Sequence, residues 1–185
     1  MAYTRDQLKQ IVIAAADRYG INQAVALAQI NQESGFKATV CSSAGACGIA
    51  QFIPGTAARF GLTDRTDPVA SMDAWGRYMT QMLGQFNNRL DVAVAGYNWG
   101  ENRATLRKAV QENRSVLNYS LPNETRNYVT AIFRNAGFDP SQPIYNDGTP
   151  SGLPASIFPG SSTGKWDTTT ILFTVLIAWY LIKKI

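Results

Sequence analysis

The sequence predicts a mainly α protein: a helical domain, then a Pro/Gly/Ser-rich linker, then a C-terminal hydrophobic helix. Three observations carry this. Apolar residues recur at helical spacing over most of residues 1–138. Residues that start and stop helices bracket those stretches. No stretch alternates as a half-buried strand does, and no segment repeats.

In chain order, Thr4-x-x-Gln7 reads as a capping box. Leu8, Ile11, Val12, Ala15 and Tyr19 then share a stripe that Gly20 stops. Asn22 caps a second helix running to Ser34, apolar nearly all round until Gln29, and so expected at the centre of the core. Gly35 fits the left-handed position past its end. Pro54 opens a short helix to Phe60. Asp67-Pro68 starts another, with Val69, Met72, Trp75, Met79, Met82, Leu83 and Phe86 on its apolar stripe. A short apolar helix from Asp91 to Tyr97 breaks at Asn98-Trp99-Gly100, and Arg103 to Asn113 reads as a polar surface helix. Leu121-Pro122 opens the last, with Tyr128, Val129, Ile132 and Phe133 inward and Gly137 as its stop.

This organisation divides the chain into a helical domain over 1–138, a flexible linker over 139–166 and a membrane anchor over 167–185. The linker alternates Pro140, Pro143, Pro150, Pro154 and Pro159 with glycines and serines, a composition that buries no core. Residues 168–182 form a charge-free apolar run, short for a bilayer, with Trp166, Trp179 and Tyr180 as interfacial aromatics and Lys183-Lys184 able to snorkel. Residues 1–10 carry no secretory pattern, since Arg5, Asp6 and Lys9 interrupt any apolar region.

Composition narrows the chemistry. With no His among 185 residues, Ser-His and Cys-His catalysis and His-based metal sites are excluded, and neither metal nor cofactor is expected. The net charge of +4 includes no Lys/Arg cluster before the C-terminus, so nucleic acid is not an expected partner. Cys41 and Cys47 are too few for a zinc site and flank a tight loop; a local disulfide and two small buried thiols both remain open.

The stretch of greatest chemical interest is Glu33 to Gln51. A lone carboxylate ends an apolar helix, and burial together with the negative end of the helix dipole favours its protonated form. Gln29 shares its face, and Asn31 and Gln32 crowd the same end, which suggests a cleft. Taken alone, a Glu at a helix end is a solvated surface group.

The stretch is not alone. Glu33-Ser34-Gly35-Phe36, then Ser42-Ser43-Ala44-Gly45-Ala46-Cys47-Gly48-Ile49-Ala50-Gln51, resembles the E-S-x-F … S-x-A-G-A-x-G-(L/I)-x-Q pattern of the soluble lytic transglycosylases. Three further segments follow in the family's order. Asp67-Pro68 through Met79 is similar to its D-P-x-x-N-I-x-A-G-x-x-Y-L helix, with Ser71 for Asn and Trp75 for Gly. Ala95-Gly96-Tyr97-Asn98 resembles A-Y-N, with Gly100-Glu101-Asn102 where G-P-G is typical, and Leu121 to Val129 resembles P-x-E-T-x-x-Y-V.

The resemblance implies a lysozyme-like helical transglycosylase domain that cleaves peptidoglycan glycan strands and leaves 1,6-anhydro-N-acetylmuramic acid ends. It makes Glu33 the sole catalytic acid/base. Tyr97 would hydrogen-bond near that carboxylate, Ser42 and Gln51 would line the sugar subsites, and Asn98 and Glu124 would shape the cleft floor. It permits a phage-borne enzyme that opens the cell wall during entry, held to a virion membrane and in contact with other virion proteins; the alternative location is the bacterial envelope. Two other readings stand beside it. A hydrolytic goose-type lysozyme would need a second carboxylate, from Asp64, Asp67 or Asp73; a non-catalytic peptidoglycan-binding component would not need Glu33.

Overall fold

The computed structural model describes residues 3–146. Among them are seven α-helices: α1 Arg5–Tyr19, α2 Gln23–Ser34, α3 Pro54–Arg59, α4 Pro68–Gln85, α5 Leu90–Trp99, α6 Ala104–Gln111 and α7 Asn123–Asn135. A 3-10 turn spans Val116–Asn118, and the only extended pairing among the described residues is a set of isolated bridges. The mainly α expectation holds.

The ends follow the local chemistry. Thr4 and Gln7 form the reciprocal capping box of α1, and Gly20 closes it in the left-handed conformation. Asn22 caps α2 through Val25 N, and Asp67 caps α4 through the amides of Val69 and Ala70. α2 packs against both α1 and α7, while α5 packs against α4, α6 and α7. α5 is buried at every residue from Leu90 to Gly96. The carboxyl ends of both helices carry the polar residues of the site.

One position of α4 departs from expectation, and another matches it. Val69 is exposed, because the cap turns the first residue of the stripe to solvent. Trp75 is wholly buried, and the glycine stands one place later. A Cβ on Gly76 would lie 2.0 Å from the Tyr19 ring, so the bare backbone there is what lets α1 and α4 approach.

The compact body also extends past the expected boundary at 138. Ile144 is buried, and Tyr145 bridges to Arg89. Asn146 donates Nδ2 to Gly20 O at 2.7 Å and accepts Asn22 N at 2.9 Å; its backbone N–H donates to Asn88 O and its carbonyl accepts Asn88 Nδ2. The expected linker therefore does not begin at 139, because these residues bury an apolar side chain and satisfy backbone groups across the fold. The remainder of the expected linker, and the expected anchor over 167–185, lie outside the described residues. Among the described residues no helix is long and apolar enough to cross a membrane.

A truncation series follows from this. A chain ending at 146 should keep its melting temperature. One ending at 138 loses the burial of Ile144, about 1.5–3 kcal/mol, and leaves Asn22 N without its acceptor. Thermal melts of the two by circular dichroism should differ by several degrees; equal melting would remove residues 139–146 from the core.

Candidate active site

Glu33 lies in the last turn of α2, where Gly35 ends the helix at φ 60° and Phe36 follows at φ 60°. Two left-handed residues in succession, the second not a glycine, turn the chain sharply away just past the carboxylate. Arg5 holds that turn: its guanidinium donates to Gly35 O and Asn31 Oδ1 and lies over the Phe36 ring.

As a residue Glu33 is half-buried. Its carboxyl is nonetheless surrounded closely enough that burial pushes its pKa up from 4.5 to about 7. The hydroxyl of Tyr128, on α7, donates to Glu33 Oε1 and works in the opposite direction by favouring the anion. No second carboxylate contributes to the shift. Tyr128 in turn accepts a hydrogen bond from Gln29 Nε2 at 3.2 Å.

Tyr97, near the end of α5, donates its hydroxyl to Ala50 O at 2.6 Å. Burial raises its pKa well above 10.0, and the charge of Glu33 raises it further, so both tyrosines beside the carboxylate stay neutral. The Tyr97 ring lies edge-on to Phe52 and tilted against Tyr78, which meets Phe60 in the same way. Behind this aromatic row stands buried Glu101, accepting from Tyr78 Oη and from Arg59 Nη1 at 2.7 Å each. The departure from G-P-G thus brings a carboxylate together with an arginine partner.

The opposite side of the site is the loop joining α2 and α3. Cys41 and Cys47 are joined in a disulfide, which resolves the open alternative. Cys41 is exposed, so it is not a buried thiol position at all. The bridge closes a seven-residue loop in which Ser42 is exposed and accepts Ala46 N through Oγ at 3.2 Å. Gly48 is obligatory there: at φ 84° a Cβ would meet Arg65 O at 1.7 Å. Gln51, at φ 51°, donates Nε2 to Val40 O and Gly48 O. Arg65 reaches in to Gly45 O and Phe52 O.

The expected site residues thus fall in distinct places. Tyr97 lies within electrostatic reach of Glu33 and gives its hydroxyl to Ala50 O. Ser42 stays open to solvent, whereas the amide nitrogen of Gln51 is engaged in holding its own loop. Asn98 is half-buried and accepts Thr125 Oγ1 at 2.7 Å, tying α5 to α7, while Glu124 lies exposed in the first turn of α7. The direct partner of Glu33 is Tyr128, which the sequence reading placed inward but gave no role; its place in P-x-E-T-x-x-Y-V was the available signal. The carboxylates offered for a hydrolytic reading are engaged elsewhere: Asp64 with Thr66, Asp67 at its cap, and Asp73 with Arg18, Tyr19 and Arg77.

Comparison with known proteins identifies the family. Residues 10–120 match the model of the transglycosylase SLT domain. The chain is 35% identical over 109 residues to membrane-bound lytic murein transglycosylase D of Escherichia coli K12, covering 52% of this chain and 24% of that one. It is 30% identical over 121 residues to membrane-bound lytic murein transglycosylase F of Desulfosudis oleivorans, covering 62% and 27%. The chain therefore spans about a quarter of the length of these relatives. Among solved structures it resembles lytic transglycosylase Slt of Pseudomonas aeruginosa, solved as an inactive mutant, at TM-score 0.59 and 26% identity over 69% of this chain and 23% of that one. The 70 kDa soluble lytic transglycosylase of Escherichia coli matches in fold at TM-score 0.56 and 23% identity, over 71% and 25%. Tyr128 lies beyond the matched range, although its hydroxyl reaches into the centre of the site. A family model that spans well over half of the chain and contains Glu33, Gln51 and Tyr97 places this protein in the transglycosylase SLT domain family.

Proposed function

We propose that this domain cleaves the glycan strands of peptidoglycan as a lytic transglycosylase, with Glu33 as its only acid/base. The observation that carries the reading is a single carboxyl, desolvated to a pKa of about 7, with a tyrosine hydroxyl on one oxygen and no carboxylate partner. Most hydrolytic glycosidases use a second carboxylate as nucleophile or to activate water. Here the Glu33 proton passes to the glycosidic oxygen as the C1–O bond breaks. The substrate's N-acetyl oxygen shields the developing positive charge at C1. The Glu33 anion then takes the proton of the sugar's own C6 hydroxyl, O6 bonds to C1, and a 1,6-anhydro ring closes without water. Tyr97 is assigned to the cleft wall beside the carboxylate, Ser42 and Gln51 to the loop that lines the sugar subsites, and Asn98 with Glu124 to the floor.

The reading extends to location. The relatives named membrane-bound, and the apolar run at 168–182, support a wall-facing enzyme tethered to a membrane. Within that reading the tether belongs to a phage particle that opens the wall at entry, and the host envelope is the competing site. Mass spectrometry of digested sacculi tests the chemistry: anhydro ends are expected, and reducing ends would replace the proposal with hydrolysis. Immunoblots of purified particles and host membranes test the location, where signal confined to uninfected envelopes would sink the virion reading.

A further inference from the structure

Gln29 sits four residues before Glu33 on α2 and is fully buried. Its Nε2 donates to Tyr128 Oη, and Tyr128 Oη donates to Glu33 Oε1. Its own Oε1 has no hydrogen-bond partner among the described residues. Burying an amide with its acceptor unmet is costly, and Leu or Met would fill this place on an apolar helix without that cost. The side chain has a use beyond packing, and the one group it offers is the Nε2 hydrogen on Tyr128.

We propose that Gln29 is a positioning residue for the acid: by donating into Tyr128 Oη it commits the tyrosine hydrogen to Glu33 Oε1, so that the proton of Glu33 resides on Oε2. A phenol has one hydrogen and accepts well in only a limited set of directions. With Gln29 on the accepting side, Tyr128 acts on Glu33 as a donor alone. Without Gln29, Tyr128 is free to accept from Glu33, and the acid proton then points at the tyrosine instead of the sugar. Gln29 also polarises the Tyr128 hydroxyl, which strengthens its hold on the Glu33 anion. The other titratable group that senses the Glu33 charge is Tyr97 on α5, which stays neutral and whose hydroxyl is given to Ala50 O.

This inference rests on Glu33 being the acid, and the experiment separates the two. Full-length Gln29→Met, Tyr128→Phe and the double variant are compared with wild type on purified glycan strands across pH, with Glu33→Gln as the control. Gln29→Met should lower kcat by up to about tenfold, the scale of one hydrogen bond, with KM within about twofold. The alkaline limb of kcat should move up by roughly half a pH unit, because the anion loses support. In the Tyr128→Phe background Gln29→Met should leave the limb where it is, since the residue acts only through that hydroxyl. An equal loss in both backgrounds, or a limb that superposes on wild type, would overturn the proposal. Gln29→Leu guards against a packing fault specific to Met; loss of native circular dichroism in both variants would assign Gln29 to the core and overturn it as well. Turnover retained by Glu33→Gln would instead remove the acid assignment on which it rests.

Discussion

Glu33→Gln should fold normally, lose at least about 10³-fold in glycan cleavage, and be more stable than the wild type at neutral pH. The amide keeps the shape and can still accept from Tyr128, but it has no acidic proton to give. The gain in stability has a definite sign. The folded-state pKa of about 7 lies above the ordinary 4.5, so between those values the folded protein binds a proton that the unfolded chain has released. Stability from this group is whole below about pH 4.5 and falls as pH rises to about 7, beyond which the buried anion carries its full penalty. The neutral amide escapes it. The variant should therefore gain on the order of 1–3 kcal/mol at pH 8 and little at pH 4, read from denaturant midpoints at the two pH values. Substantial turnover, or an equal stability difference at both pH values, would mean that Glu33 is neither the acid nor desolvated.

The second large effect lies away from the site. Asp91→Asn should lower the melting temperature by roughly 10 °C. Asp91 and Arg89 are each 1% exposed in their side chains and paired at 2.9 Å through both carboxylate oxygens. Arg89 also donates to Ala109 O and Arg114 O, and Asp91 accepts the amides of Val116 and Ile144. The pair thus joins α5, α6, the 3-10 turn and residues 139–146. Breaking such a pair strands a buried guanidinium and costs about 3–5 kcal/mol. A fall of only a degree or two in a thermal melt would show that water reaches Arg89 and that the network is peripheral.

What the sequence made legible was local. Caps at Thr4, Asn22 and Asp67 and stops at Gly20 and Gly35 depend on neighbours a few residues away, and each fell where the side-chain chemistry required. Glu33 was legible because its helix is apolar and its loop is motif-rich. Most of the misses depend on partners distant in the chain. Tyr128 meets Glu33 across 95 residues, and Asn146 meets Asn22 across 124. Nothing in the spacing of Pro140 and Pro143 reveals that Ile144 is buried. The members of the Arg89–Asp91 pair are two residues apart, yet its burial follows from α6 and the tail closing over it. The left-handed turns at Phe36 and Gln51 occur at residues that ordinarily avoid them, so composition carried no sign of either.

The most direct test is the ionisation of Glu33 itself. The side-chain carboxyl carbon resonances of glutamate-labelled protein, assigned by their loss in Glu33→Gln, can be followed by NMR from pH 4 to 9. The expected result is a single titration with its midpoint at about 7. A midpoint near the ordinary 4.5 would contradict the account, since a carboxylate already ionised at neutral pH has no proton to give the glycosidic oxygen.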